Sequence, residues 1–483
     1  MQDKVQVYQL RPLGWENDQE EERIPATIFD YTVPMSYNAW AIYFRLDRET
    51  SRPKVVKALK AGLERTLSQC RQLVGRLELD PTDDGNYSFV KRKDDTVDFI
   101  VEYWDDVDVP SFDQLQNAHF ASCSLGDVGR FGAPGMECGH NPACRPENAN
   151  FIPGGLIFVM TNLHVCQDVM GWYWSARQLA DNCFAAVNDT APPAWDPAAI
   201  SDGDRFTPRP QKVERPVEKP QENLSIGSVS PKPASSLLFH LSKSKARDLK
   251  SLAAGSRTAS SDASSSWIST YDAFVALIWR TLTKHRRGLY PVQDDQRPLL
   301  TEAINLRFNN RLSPPVAKKY QRNLLWSAKT TDHPSQFTVA QVAETEPLGN
   351  LAARIRHMTS SVTQPVVEAG LAQLALRDRA GLARNIGQLP ALTSVVTDWR
   401  RASLEGCDFG FGRPSAFRCL SRGASTCMVI VFPPRVDGSL GEEEGPEVAI
   451  SIENELVHAI LHDDDFTRYF EFRGYEVRHK DLV

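Results

Sequence analysis

Gly154-Gly155-Leu156-Ile157-Phe158-Val159-Met160-Thr161-Asn162-Leu163-His164-Val165-Cys166-Gln167-Asp168 is the stretch that decides the fold class. Leu156 to Met160 is apolar without alternation, the pattern of a strand covered on both faces, and the paired glycines bound it. The run ends at Asn162-Leu163-His164, after which Trp172, Ser175, Ala176, Leu179, Ala180 and Cys183 recur at helical spacing. A buried strand followed at once by an amphipathic helix is the unit of an α/β protein, and polar residues at such strand ends face a crevice. His164 occupies that place.

Working outward toward the N-terminus, Ser36 to Leu46 alternates as a strand, and Val55 to Leu73 carries Val56, Leu59, Leu63, Leu67 and Cys70 on one helical face before Gly75. Arg76 to Leu79 and Tyr87 to Val90 read as short strands around the turn-rich PTDDGN. Residues 122–153 read as a loop, rich in glycine, proline and asparagine. Within it Cys123, Cys138, His140 and Cys144 could ligate zinc, but their spacing fits no common knuckle, and a surface insertion with free thiols is the favoured reading, with no metal.

Working outward toward the C-terminus, residues 196–235 turn proline-rich and polar, a semi-rigid linker between two halves. The expected division is a first lobe at 1–195, a crossover linker at 196–235 and a second lobe at 236–483. The second half opens with a strand (Ser236 to Leu241) and a helix (Lys243 to Ala254). A Ser-rich loop (256–266), a helix from Thr270 to Lys284 and a buried strand from Thr301 to Leu306 follow. A chain of 483 residues exceeds one compact core, which agrees with two lobes.

The net charge of −6 with no long basic block gives no electrostatic footprint for nucleic acid. No stretch reaches the ~18 apolar residues of a membrane span. The N-terminus lacks the apolar core of a signal peptide, and nine cysteines, an odd number, suit reduced thiols. A cytoplasmic protein is expected.

His164-Val165-Cys166-Gln167-Asp168 is an H-x-x-x-D. Taken alone, a histidine beside an apolar strand is more often a hydrogen-bonded core residue. Its functional reading is general-base chemistry: an imidazole can take the proton of an alcohol or amine attacking a carbonyl. An Asp four residues on need not touch the ring; it can turn away to an Arg of another segment and fix the turn. Cys166 reads as a small buried filler.

Together with Asp408-Phe409-Gly410-Phe411-Gly412-Arg413-Pro414, that motif resembles the paired signatures, H-x-x-x-D and D-F-G-W-G, of the plant and fungal BAHD acyltransferases. Weaker echoes are Leu63 to Leu79, Ser269 to Arg280, Asn305-Leu306-Arg307, Thr397-Asp398-Trp399, Thr426 to Pro434 and Val448 to Leu456, so the likeness spans nearly the whole chain. It implies a two-lobed chloramphenicol-acetyltransferase-like α/β fold, each lobe a mixed sheet flanked by helices, with a tunnel between them. About 409–435 would be exchanged into the first lobe.

The resemblance also implies roles. His164 is the catalytic base and Asp168 the partner of Arg307 in a structural salt bridge. Asp408, Phe409, Gly410, Phe411 and Gly412 are structural. Ser269 and Thr270, with Lys243 and Lys245, are the candidates for holding coenzyme A, and Thr397 and Trp399 for stabilising an oxyanion. The implied reaction is transfer of an acyl group, acetyl first, from acyl-CoA to a hydroxyl or, second, an amine of a small secondary metabolite. No cofactor is tightly bound, no covalent acyl-enzyme forms and the protein is a monomer.

Three features depart from the family pattern. Phe411 replaces Trp, Val169 follows Asp168 where glycine is usual with Gly171 two places later, and the N-terminal S-x-x-D is missing, with Asp30-Tyr31-Thr32-Val33-Pro34 in its region on the acceptor side. The pattern looks fungal. Three alternatives stay open: a condensation-type enzyme working on carrier-protein thioesters, a tunnel repurposed for cyclisation or isomerisation of a bound metabolite, and a non-catalytic binding module.

Overall fold

The computed structural model describes residues 4–81, 86–105, 109–133, 146–207, 232–258, 267–374, 389–436, 438 and 440–479. Two large mixed sheets build two lobes. The first has six strands in the order Val5–Leu10, Val97–Tyr103, Glu147–Ile152, Gly155–Leu163, Tyr37–Arg45, Pro414–Leu420. Only Val97–Tyr103 and Glu147–Ile152 run parallel. The second has seven strands in the order Leu325–Lys329, Leu300–Asn305, Ser394–Asp398, Met428–Phe432, Glu447–Glu453, Ala234–His240, Glu471–Val477. Its three parallel neighbours are Leu300–Asn305, Ser394–Asp398 and Met428–Phe432. A three-stranded sheet, Glu21–Pro25, Tyr87–Arg92 and Arg76–Leu79, flanks the first lobe.

The pleat explains how the apolar strands are used. Trp40, Ile42 and Phe44 share a face with Phe158 and Met160, and helices Arg52–Gln69 and Val169–Asn188 cover it with Leu59, Leu63, Trp172, Ala176 and Leu179. Ala39, Ala41, Tyr43, Ile157 and Val159 point the other way, onto Phe112, Phe120 and Phe131. In the second lobe Val396, Val429, Val431, Ile450 and Phe239 pack under helices Lys243–Gly255, Thr270–Arg286 and Leu348–Ser360. The opposite face of that sheet gives Leu238, Phe432 and Ala449 to the core of the first lobe, with Trp399, so one apolar seam joins the lobes.

Trp40 sits at the middle of the seam. It stacks on Trp172 (centroids 4.6 Å apart) and tilts against Trp399 (5.1 Å). Such ring pairs contribute about 0.5–1.5 kcal/mol each beyond area burial. The indole N–H of Trp40 donates to Asn162 Oδ1 at 2.8 Å, so no buried donor is left open there.

One reading of the sequence is corrected. Residues 122–153 are not all loop: Glu147–Ile152 is a fully buried strand, and 3-10 turns occupy Ser122–Leu125 and Val128–Phe131. Polarity hid the strand, because Glu147, Asn148 and Asn150 spoil the apolar pattern. Asn150 is instead satisfied by other segments of the fold, accepting from Trp104 Nε1 at 3.2 Å and donating to the Phe131 and Ile157 carbonyls. Cys138, His140 and Cys144, most of the linker (208–231) and most of the Ser-rich loop (259–266) lie outside the described residues.

Candidate active site

His164 sits one residue past its strand, where the chain turns toward the helix. Its N–H donates to the Ser36 carbonyl at 2.7 Å, extending the ladder to Tyr37–Arg45. Its carbonyl accepts from Gln167 N at 3.2 Å, closing a tight turn. Among the described residues, Nδ1 of its ring is buried and makes no hydrogen bond, while the residue as a whole is partly exposed. Burial holds its pKa below the usual histidine value of 6.5, against a smaller upward pull from its own backbone and from Asp168. The imidazole is neutral at pH 7 and able to accept a proton.

Asp168 is the N-cap of the helix Val169–Asn188, its Oδ1 accepting from Gly171 N at 2.8 Å. Gly171 is required by close approach: a Cβ there would lie 2.4 Å from the Gln321 carbonyl oxygen. Arg307, just beyond the strand Leu300–Asn305, donates Nη1 to Asp168 Oδ2 at 2.9 Å and Nη2 to Oδ1 at 3.0 Å. Leu324 N adds a bond to Oδ2 at 2.8 Å, so four donors saturate the carboxylate and none is His164. Arg307 also donates Nε to the Tyr320 carbonyl at 3.0 Å and Nη2 to the Arg322 carbonyl.

Sequence reasoning missed the segment that clasps this turn. Residues 320–324 of the second half lie along the start of the His-side helix, giving Arg307 two carbonyl acceptors and Asp168 one N–H donor. Between them Asn323 donates Nδ2 to the His164 carbonyl and to Asp30 Oδ1, both at 3.0 Å. Asp30 is buried, and its Oδ2 accepts from Arg322 Nη2 at 2.8 Å and from Thr27 N and Oγ1 at 2.7 and 3.0 Å. Burial raises the pKa of Asp30, opposed by Arg322 and its hydrogen bonds.

Thr27-Ile28-Phe29-Asp30 closes a capping box at the start of this segment, Thr27 giving its N–H and its hydroxyl to Asp30 Oδ2.

The second motif stands apart. Phe409 and Phe411 pack on Phe44 at 4.9 and 5.3 Å, next to the Arg45–Gly155 end of the ladder. His164 lies beyond the other end of the nine-residue strand Gly155–Leu163, which at ~3.3 Å per residue is roughly 25 Å away. Asp408 Oδ1 accepts from Gly410 N at 2.8 Å, and the Gly412 carbonyl accepts from Phe409 N at 3.0 Å. Gly410 has φ +79°, and a Cβ on it would press to 2.8 Å from Val187 Cβ. This turn launches the strand Pro414–Leu420.

Trp399 donates its indole N–H to Thr397 Oγ1 at 2.8 Å, so the indole is spent while the Thr397 hydroxyl keeps its own proton. Ser269 and Thr270 stand at the start of the helix Thr270–Arg286, but Ser269 is engaged in a capping box with Asp272, donating to Asp272 Oδ2 at 2.8 Å. Asp272 is further bound by Arg356 at 2.7 Å. Lys243 is exposed and Lys245 half-buried on the helix Lys243–Gly255. The structure brings His164, Asp168 and Arg307 to one turn and places the second motif at the far end of the sheet. Among the described residues no group of three or more His, Cys, Asp or Glu could hold a metal, and no helix is long and apolar enough to cross a membrane.

With this geometry in view, the chain compares with known proteins along nearly its full length. The model of the Transferase family matches residues 16–467. Acetyltransferase FGR3 of Gibberella zeae is 39% identical over 98% of this chain and 95% of its own. The trichothecene 3-O-acetyltransferase TRI101 of Fusarium sporotrichioides is 23% identical over 91% of this chain and 94% of its own. Among solved structures, that of TRI101 from F. sporotrichioides with coenzyme A and T-2 superposes with a TM-score of 0.74 at 21% identity, covering 94% of this chain and all of that one. Vinorine synthase superposes with a TM-score of 0.64 at 16% identity, over 97% of this chain and 98% of its own. The fold is the two-lobed chloramphenicol-acetyltransferase-like one. The chain belongs to the Transferase family, the BAHD-type acyltransferases that use acyl-CoA donors.

Proposed function

We propose that this enzyme transfers an acyl group, acetyl first, from coenzyme A to a hydroxyl of a small secondary metabolite, with His164 as general base. The observation that carries the reading is His164 itself: a neutral imidazole at a strand end on the seam, with both backbone polar groups tied down and the motif carboxylate turned away. The names of FGR3 and TRI101 support acetyl as the group transferred, and that of TRI101 supports a hydroxyl oxygen as acceptor. Coenzyme A in the TRI101 structure supports it as the donor's carrier.

In this reading the acceptor O–H gives its proton to His164 as the oxygen bonds to the thioester carbon. The Thr397 hydroxyl, which accepts from Trp399 and retains its proton, would donate to the oxyanion. The intermediate collapses as the carbon–sulfur bond breaks, and the departing thiolate takes the proton from His164. Ester and free coenzyme A result, and no acyl-enzyme is needed because a tunnel between the lobes would hold both substrates together. Lys243 and Lys245 remain the proposed contacts for coenzyme phosphates; Ser269 would have to give up part of its cap to join them. A single chain completes the site, a monomer with lobes at 1–195 and 236–483 joined by 196–235, the second half lending part of 409–435 to the first lobe.

The test is calorimetric titration of the purified protein with acetyl-CoA, free CoA and a longer acyl-CoA, followed by an acceptor screen reading CoA release. Saturable binding with turnover of an alcohol supports the proposal. Folded protein that binds none of the three would turn the assignment to cyclisation or isomerisation of a bound metabolite.

A further inference from the structure

We propose that Asn323 is a positioning residue for His164, part of a cross-lobe strut that runs from Asp30 through the Asn323 amide to the His164 carbonyl. The inference goes beyond the acyl-transfer reading and rests on it only for its kinetic arm. The turn carrying His164 is gripped from both sides. Ser36, just before the neighbouring strand Tyr37–Arg45, takes its N–H at 2.7 Å, and Asn323, of the second half, takes its carbonyl at 3.0 Å. Asn323 is completely buried, so these bonds are made out of reach of bulk water, where an unmade one is costly.

The amide has one workable orientation. It faces two acceptors, the His164 carbonyl and the Asp30 carboxylate, and only its NH2 group can serve both. Asp30 is fixed in turn by Arg322 and by Thr27, and Arg322 also donates to the Pro25 carbonyl at 2.7 Å. Asp30, Arg322 and Asn323 are each at most 2% exposed. An ion pair this deep costs desolvation, and a register-fixing role is its best-attested use. Here the pair joins the N-terminal segment to the second half directly behind the base. The Arg307–Asp168 pair holds the helix start four residues on; the strut holds the histidine's own peptide group.

The experiment compares Asn323→Leu and Asn323→Asp with the wild-type chain and with Gly410→Ala, which perturbs a distant turn. Asn323→Leu removes both donors. The expected result is a kcat lower by roughly 10- to 100-fold, the loss that sub-ångström to ångström misplacement of a reacting group brings. KM values should stay within about twofold. The nuclear magnetic resonance titration of the His164 ring, followed without substrate, should move toward the ordinary histidine range.

Asn323→Asp keeps the shape but faces two acceptors: ionised, it donates to neither, and protonated, it has one O–H to give to one of them. Its profile should keep the acid limb set by His164 and add a descending limb as the new carboxyl ionises with rising pH, a limb the wild type lacks. Gly410→Ala should leave kcat and the ring titration unchanged. An Asn323→Leu enzyme with wild-type kcat and ring titration, or an Asn323→Asp profile parallel to the wild type, would overturn the proposal. If Asn323→Leu does not fold, the Asn323→Asp profile decides. If the wild type turns over no acceptor, the ring titrations decide, and an unchanged His164 there overturns the strut independently of the reaction.

Discussion

Arg307 and Asp168 meet through two parallel hydrogen bonds of 2.9 and 3.0 Å, and the same carboxylate caps the helix that follows the base. The pair is buried on both sides and crosses from one half of the chain to the other. Its work is to hold the turn. Asp168→Ala should strand the guanidinium without a counter-charge, remove the cap and free Leu324 N, at a cost on the order of 3–5 kcal/mol. Arg307→Ala should cost as much, and Asp168→Asn less. Thermal unfolding measures this, and an Asp168→Ala protein that melts like wild type yet is inactive would move the carboxylate into the chemistry.

His164→Ala should lower kcat by at least about 100-fold, within the range general-base catalysis supplies, with melting temperature and acetyl-CoA affinity nearly unchanged. The pH dependence follows from burial, which lowers the ring's pKa below 6.5. The active base is the neutral form, so the acid limb of kcat should fall below pH 6.5. The unfolded chain takes up more protons there than the folded one, so His164 also makes the fold less stable as pH drops through that range. A pH–rate profile with its acid limb at or above 6.5 would show that the ring is not desolvated.

Glu302, on the strand Leu300–Asn305, is buried beneath the helix Thr270–Arg286, and burial pushes its pKa up to about 8. The folded state therefore keeps a proton that the unfolded state has released above its ordinary value of 4.5. This group's contribution is lost as pH rises from the unfolded value toward 8. Glu302→Gln mimics the protonated form and should raise the melting temperature progressively across that window, reaching its full gain above pH 8. Melting curves of both proteins from pH 5 to 9 give the comparison; parallel curves would mean Glu302 is ionised throughout.

Gly410→Ala forces a side chain into a left-handed backbone and against Val187. The backbone alone costs about 1–2 kcal/mol. Because the turn sits at the far end of the sheet, the melting temperature should fall while kcat, KM and the pH profile of the remaining enzyme hold. A change in KM for the acceptor would connect this turn to the tunnel.

What could be read in the sequence depended on whether the signal was local. The buried strand, the His-bearing turn and its helix were legible because Leu156 to Met160 and Trp172 to Cys183 follow simple periods. Ser269-Thr270-Tyr271-Asp272 carried a helix-start signature that also explains why its hydroxyl is not free. Glu147–Ile152 was illegible because Asn150 is satisfied by partners that only the fold supplies. Asn323 and Asp30 were illegible for the same reason: nothing in their own neighbourhoods announces a shared bond to the base's peptide group.

The sixth strand of the first sheet, Pro414–Leu420, belongs to the far end of the chain, and its Arg418 reaches back to the His119 carbonyl, 299 positions away. During synthesis, the strand Tyr37–Arg45 must wait with one edge unpaired until nearly the whole protein has left the ribosome. An open edge beside so apolar a face is a template for wrong pairing. The N-terminal half is thus an orphan without its late strand. Contacts this distant in sequence make folding slow, and a truncated transcript would yield an aggregation-prone fragment rather than a smaller working lobe.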